Sequence, residues 1–255
     1  MREIEDFTDD RLKAWCIHCG APVADVPNNR DHVPTKSLLT KELRKRGADY
    51  DRGVGDEMDY LPQVTVCRTC NSGFSPDENY LLCVLHAVMA GSLYPDPKTH
   101  PEAASILRSN RNVVRALKQA QDGQSSLFDD HEPFALFPDA DKVRRVIVKN
   151  ARGHAYHDMG EPLRDEPDDV AFVPLIRLSA EQREAFEKAG TASHLVGWPE
   201  VGSRLTVHLL AEGPMVDGWI TVEPGRYRYA IAWAEAVTVK TVIWEYLATE
   251  TCWYR

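Results

Sequence analysis

The sequence has no apolar run approaching the ~20 residues that a membrane-spanning helix needs, so no membrane partner is expected. Its first residues, Met1-Arg2-Glu3-Ile4-Glu5-Asp6, lack the basic start and apolar stretch of a secretory signal. There is no internal repeat, no glycine-rich phosphate loop and no low-complexity tract. Cysteine is sparse, six in 255 residues, too few for the disulfide framework of a small secreted protein. Together these absences predict a cytoplasmic globular protein. With 43% hydrophobic residues the chain can bury a sizeable core, as one large or two modest domains.

Positive charge is also short. Lys and Arg number 30 against 39 Asp and Glu, a net charge of −9. That balance is awkward for a nucleic-acid binder, because affinity for phosphates comes largely from neutralising them. The charge is uneven, however. Residues 28–52 hold seven Lys or Arg against four acids, and residues 98–118 hold five against one. The acids gather at the N-terminus and at 158–169. A basic face on an acidic protein is one reading, and ordinary solvated helix faces are the other.

What the chain does have is a cysteine pattern. Cys16 and Cys19 form one Cys-x-x-Cys pair and Cys67 and Cys70 a second. Four thiolates in two such pairs can close a tetrahedral zinc site and leave no open position for water. Such a zinc is structural and pins two segments far apart in sequence. Cys83 and Cys252 are left over in apolar settings. Between the pairs lies Asp31-His32-Val33-Pro34, and Asn71 follows the second pair directly. Asp and Asn oxygens suit a hard divalent cation such as Mg²⁺ or Mn²⁺. A neutral His can take a proton from water. Arg30, Lys36, Arg44 and Arg68 lie close in sequence and are candidates for phosphate contacts, with plain surface charge as the alternative.

This stretch resembles the HNH nucleases of the ββα-metal family. The resemblance rests on Cys16-Ile17-His18-Cys19-Gly20, Asp31-His32-Val33-Pro34, Cys67-Arg68-Thr69-Cys70 and Asn71, and covers roughly the first 90 residues. It is nearest to the zinc-containing branch that includes phage endonuclease VII, where the last ligand of the catalytic metal likewise follows the second pair. The resemblance implies a metal-dependent endonuclease acting on DNA rather than RNA. His32 would be the general base, and Asp31 and Asn71 would hold Mg²⁺ or Mn²⁺. The products would carry 5′-phosphate and 3′-hydroxyl ends, and a role in bacterial or phage defence would fit. The family usually has an Asn a few residues before the second pair. Here the segment reads Leu61-Pro62-Gln63-Val64-Thr65-Val66, so Gln63 or Thr65 would serve. His18 reads as a spectator, and His154 with His157 as metal-like spacing without a matching cluster.

The expected fold class is α+β: an N-terminal zinc-pinned ββα-metal (HNH) module, a helical segment, then a C-terminal antiparallel β-rich domain. Val64-Thr65-Val66 is a strand candidate, and 37–46 reads as a helix stopped by Gly47. Ser75, Pro76 and Glu78 signal a helix start, followed by Leu81, Val84, Leu85 and Val88 on one face. Tyr94-Pro95-Asp96-Pro97 predicts a boundary between domains 1–94 and 95–255. A single long helix is expected from a Thr99/Glu102 capping box. Another helix carries Val143, Val146 and Ile147 and ends before Gly153. A linker is expected over 158–170, then a helix capped by Ser179 and Gln182. Strands are expected at 205–210, 219–223, 226–233 and 237–247, and the tryptophans among them read as core or partner surface. The second half would choose the substrate or a protein partner. The alternative function is a non-catalytic zinc module that binds nucleic acid or protein.

Overall fold

The all-polar segment 28–32 pairs with the alternating Gln63-Val64-Thr65-Val66-Cys67 in a two-stranded antiparallel hairpin, β1 (Asn28–His32) and β2 (Gln63–Cys67). Val64 and Val66 turn inward, so the register is fixed by burial: Asp31 lies opposite Val64 and His32 opposite Gln63. The chain passes from β2 straight into α1 (Arg68–Ala90). This computed structural model describes residues 13–43, 61–122, 134, 136–160, 162–188, 215–233 and 236–254. Arg44, the 47–60 segment, Trp198 and the expected 205–210 strand lie outside them.

Further helices are α2 (Pro101–Ser109), α3 (Arg111–Asp122), α4 (Ala140–Met159) and α5 (Ala180–Lys188). A six-stranded antiparallel sheet is built from β3 (Asp169–Pro174), β4 (Met215–Val216), β5 (Trp219–Glu223), β6 (Tyr227–Trp233), β7 (Ala236–Ile243) and β8 (Leu247–Tyr254). Its order is β3-β8-β7-β6-β5-β4. The chain is thus mixed helix and strand, with an antiparallel C-terminal sheet. Among the described residues, no helix is long and apolar enough to cross a membrane.

Several elements differ from the sequence reading. α1 starts at Arg68 rather than near Ser75, with Pro76 inside it. Cys70 already lies in its first turn, so the later capping signal is overridden. The long helix expected from Thr99 is two helices. Asn110 breaks it, and its side-chain Oδ1 accepts the N–H groups of Asn112 (3.1 Å) and Val113 (3.2 Å), capping α3. α4 does not stop before Gly153 but continues to Met159. The 158–170 linker is shortened by β3, which pairs with β8. The strand expected over 237–247 is two strands joined by a turn in which Trp244 (φ 58°) and Glu245 (φ 47°) are left-handed. Only a 3₁₀ turn, Lys36–Leu38, and a helical start at 41–43 fall in the described part of the helix expected over 37–46. The Ser179/Gln182 box is formed reciprocally, at 2.9 and 3.1 Å.

The chain divides into two compact units, 1–72 with 147–255, and 73–146. These limits do not coincide with a boundary at 94/95, because they fall within the continuous helices α1 and α4.

In the 73–146 unit, Arg145 pairs with the buried Asp77 at 2.9 Å, and the Tyr80 hydroxyl accepts the Asp139 N–H at 2.9 Å. The buried His86 meets His100, Nδ1 to Nδ1 at 2.8 Å, as a boundary pair.

In the other unit, Cys16, Ile17, Val23, Val33, Val64, Val66 and Cys67 form one buried cluster, against which Tyr156 of α4 packs. Leu175, Trp219, Ala230, Val242 and Ala248 form another under the sheet. Trp219, Trp244 and Trp253 are buried, and each indole N–H donates to a backbone carbonyl, of Glu187, Leu38 and Asp165 respectively. They are core residues, not a base-stacking platform.

Candidate metal centre and the Asp31-His32 loop

Each cysteine pair sits in a tight local structure. In the first, the Cys16 carbonyl accepts the Gly20 N–H at 2.8 Å and the Cys16 N–H donates to the Ala21 carbonyl at 2.8 Å. Gly20 takes φ 72°, a conformation that costs a residue with a side chain. In the second, the Cys70 N–H donates to the Cys67 sulfur at 3.4 Å. The four sulfurs of Cys16, Cys19, Cys67 and Cys70 all lie within 4.8 Å of one another. Cys19 and Cys67 are 3.7 Å apart, sulfur to sulfur. A tetrahedral zinc with bonds of about 2.3 Å sets its sulfurs about 3.8 Å apart. A disulfide would need about 2.05 Å, and all six cysteines are free thiols.

The electrostatics point the same way. Burial pushes the Cys19 and Cys70 thiols up, and the neighbouring thiols push Cys70 further. Burial would also raise Cys67, but hydrogen bonds from Cys70 and the adjacent thiols outweigh it and leave Cys67 lowered. Four thiolates this close repel one another, and a dication offsets that repulsion. The donor set therefore fits a metal ion such as zinc. Cys83 and Cys252 are buried elsewhere and take no part.

Asp31 lies on β1 and is buried, 8% exposed. Its Oδ1 accepts a hydrogen bond from Lys149 Nζ at 2.9 Å, and Lys149 also donates to Thr35 Oγ1 at 3.0 Å. Its Oδ2 lies 4.0 Å from His18 Nε2. Burial, with Lys149 and Arg152 adding to it, pushes His18 down to about 3, so this ring stays neutral. His32 ends β1, half-buried, with its Nε2 3.0 Å from the Nε2 of Gln63. Gln63 thus braces His32. Thr65 is exposed opposite Arg30 and does not.

Asn71 is in the first turn of α1, and its Nδ2 donates to Asn29 Oδ1 at 2.9 Å. Asn29 and Asp31 are two apart on β1 and so share a face. The hairpin and helix thereby bring Asn71 to the strand that carries Asp31 and His32. Arg30 and Arg68 are exposed and Lys36 is half-buried.

The loop after His32 is held from α4 and the sheet, which the sequence reading did not anticipate. Asn150 Oδ1 accepts the Thr35 N–H at 2.7 Å. The Trp244 indole donates to the Leu38 carbonyl at 2.8 Å. Glu223 accepts from the Thr40 N–H at 2.9 Å and from the Thr40 hydroxyl. Gly153 lets α4 come close: a Cβ there would meet Val33 Cγ2 at 2.9 Å. His154 and His157 form no metal pair. His154 bonds the Tyr227 hydroxyl at 3.0 Å and stacks on Tyr229, while His157 pairs with the buried Asp158 at 2.8 Å. The sequence signal for the α4 contribution is a set of polar residues, Lys149, Asn150 and Arg152, directly after the apolar run Val146-Ile147-Val148.

Compared with family models, curated proteins and solved structures, the chain matches none.

Proposed function

We propose that the protein is a metal-dependent endonuclease of the HNH type, hydrolysing phosphodiester bonds in DNA. One observation carries this reading. A cysteine cluster fit for zinc joins a hairpin to a helix, and Asn71, directly after the last cysteine, bonds to the strand that bears Asp31 and His32. A scaffold that only bound zinc would need neither His32 nor Asn71.

His32 would accept the proton of the attacking water, with Gln63 fixing its ring. Asp31 and Asn71 would hold the catalytic cation. Their donors are oxygens, as a hard cation requires. Lys149 already bonds Oδ1 of Asp31. Asn71 uses its Nδ2 on Asn29, which leaves its carbonyl oxygen for a ligand. When bound, Mg²⁺ or Mn²⁺ supplies charge stabilisation for the phosphorane and the leaving oxygen. Arg30, Lys36 and Arg68, with Arg44 outside the described residues, would contact phosphates. The zinc would be structural and hold the two halves of this arrangement together.

A second reading is favoured by one observation. The Lys149 ammonium already neutralises Asp31 in a buried pair. That pairing suits a non-catalytic zinc module whose Asp31 is purely structural, binding nucleic acid or a protein partner. Asp31→Ala and Asn71→Ala separate the two. If they hold the cation, both variants cut DNA more slowly and need more Mg²⁺ for half-maximal rate, Asp31→Ala the more. No cleavage by wild type with Mg²⁺ present would favour the binding module, and an unchanged Mg²⁺ requirement in both variants would contradict Asp31 and Asn71 as the cation's ligands.

A further inference from the structure

Lys149 is a charged residue in the middle of α4, within a stretch, 146–155, that is buried throughout. Its side chain is 3% exposed, and its ammonium donates to Asp31 Oδ1 at 2.9 Å and Thr35 Oγ1 at 3.0 Å. Thr35 is itself fixed by Asn150, the next residue of α4. The ammonium therefore sits in a built position, not at the end of a wandering side chain.

Asp31 and Lys149 form an ion pair of opposite charges. Arg152, three residues further along α4 and 6% exposed, pairs with the exposed Glu166 at 3.4 Å and donates to the Arg164 and Asp165 carbonyls. The Asp31 charge is thus already offset by the Lys149 ammonium before any dication arrives. Mg²⁺ gives up its waters reluctantly and normally relies on carboxylates together with substrate phosphates. One carboxylate oxygen already balanced by an ammonium, plus a neutral amide oxygen, is a weak site. A phosphate group brings the missing negative charge.

From this geometry we infer that Lys149 is a positioning residue that acts as the resident counter-charge of Asp31, so that the divalent cation binds only together with the nucleic-acid phosphate. This rests on the nuclease reading above. Lys149 holds Asp31 oriented in the resting protein and keeps the site from loading with metal alone. The order of binding then limits hydrolysis to bound substrate.

The test measures Mn²⁺ binding, not turnover. The full-length, zinc-loaded protein carries His32→Ala so that DNA stays intact, and free Mn²⁺ is read by electron paramagnetic resonance. With Lys149 in place, a short duplex DNA should tighten Mn²⁺ binding by about 10-fold or more, within the usual range of coupling between sites. Lys149→Met should tighten binding without DNA by about 10-fold or more, because the competing charge is gone. It should also remove most of the dependence on DNA. Asp31→Asn combined with Lys149→Met should abolish that gain, which locates the ion at Asp31. Equal Mn²⁺ affinity with and without DNA in the Lys149 protein overturns the inference, and so does unchanged affinity in Lys149→Met. If Lys149→Met does not fold, the DNA dependence of the Lys149 protein decides alone. Failure here is distinguishable from failure of the nuclease reading. Cleavage by the His32 protein with no Mn²⁺ response to Lys149→Met overturns only the counter-charge. An Asp31-dependent Mn²⁺ gain without any cleavage supports the counter-charge and removes the nuclease.

Discussion

Replacing Gly153 by Ala should destabilise this protein, although the same change inside a helix normally does the opposite. In an unhindered helix interior, Ala is favoured over Gly by about 1 kcal/mol. Gly153 lies within α4, where a Cβ would stand 2.9 Å from Val33 Cγ2, 3.2 Å from Cγ1 and 3.6 Å from Cβ. Val33 is buried, 4% exposed, and is branched at Cβ, so its methyls cannot swing aside as the end of a long side chain would. Overpacking of this kind costs about 1–3 kcal/mol. The expected net effect is a loss of up to about 2 kcal/mol. The same displacement would pull Lys149 and Asn150 away from Asp31 and Thr35, so any activity should fall with stability. Denaturant unfolding of the zinc-loaded protein measures the first effect. Val33→Ala in the Gly153→Ala background should recover part of the loss by making room. A Gly153→Ala protein more stable than wild type would refute the close docking of α4 on this loop.

Other outcomes follow from the same contacts. Purified protein should contain one zinc per chain by elemental analysis; Cys67→Ser should lose it and destabilise the hairpin, while Cys83→Ala should keep it. Asn150→Ala removes the acceptor of the buried Thr35 N–H and should cost about 1–3 kcal/mol in unfolding free energy; a change within measurement error would contradict that bond. His154 is buried, and burial lowers it from 6.5 to about 3. Its unfolded form therefore takes up a proton that the native form refuses, and stability should fall as pH drops from about 6.5 toward 3, by up to about 1.4 kcal/mol per pH unit for this one proton. Burial would raise Asp158, but bonds from His157 and Tyr229 hold it at about 2, so its contribution is lost only below its ordinary value of 3.8, as pH falls toward 2. A melting temperature flat between pH 6.5 and 4 would contradict the buried neutral His154.

Elements whose cause lies within a few residues were legible in the sequence. The two cysteine pairs, the β2 strand, the apolar stripe of α1 and the Ser179/Gln182 cap all depend on local spacing. Asn110 was missed because it interrupts an apolar stripe that is periodic on both sides of it. The Trp244-Glu245 turn carries neither Gly nor Asn. Its Trp is held instead by Leu38, 206 residues away, and by Arg226 over its ring at 4.4 Å. The largest omission at the candidate site was Lys149. It lies 118 residues after Asp31, and a lone Lys in a helix reads as a solvated residue until a partner is seen. The Gln63 brace of His32 was legible as one of two options, because Gln63 directly faces His32 across the hairpin.

The most direct measurement is cleavage of supercoiled plasmid and single-stranded DNA by the zinc-loaded, full-length protein with Mg²⁺ or Mn²⁺, beside His32→Ala. Nicking by wild type that disappears under mild chelation, and that slows at least ~100-fold in His32→Ala, the low end for loss of a general base, is the expected result. Cleavage by His32→Ala at the wild-type rate, or none by wild type on any form of DNA, would contradict it.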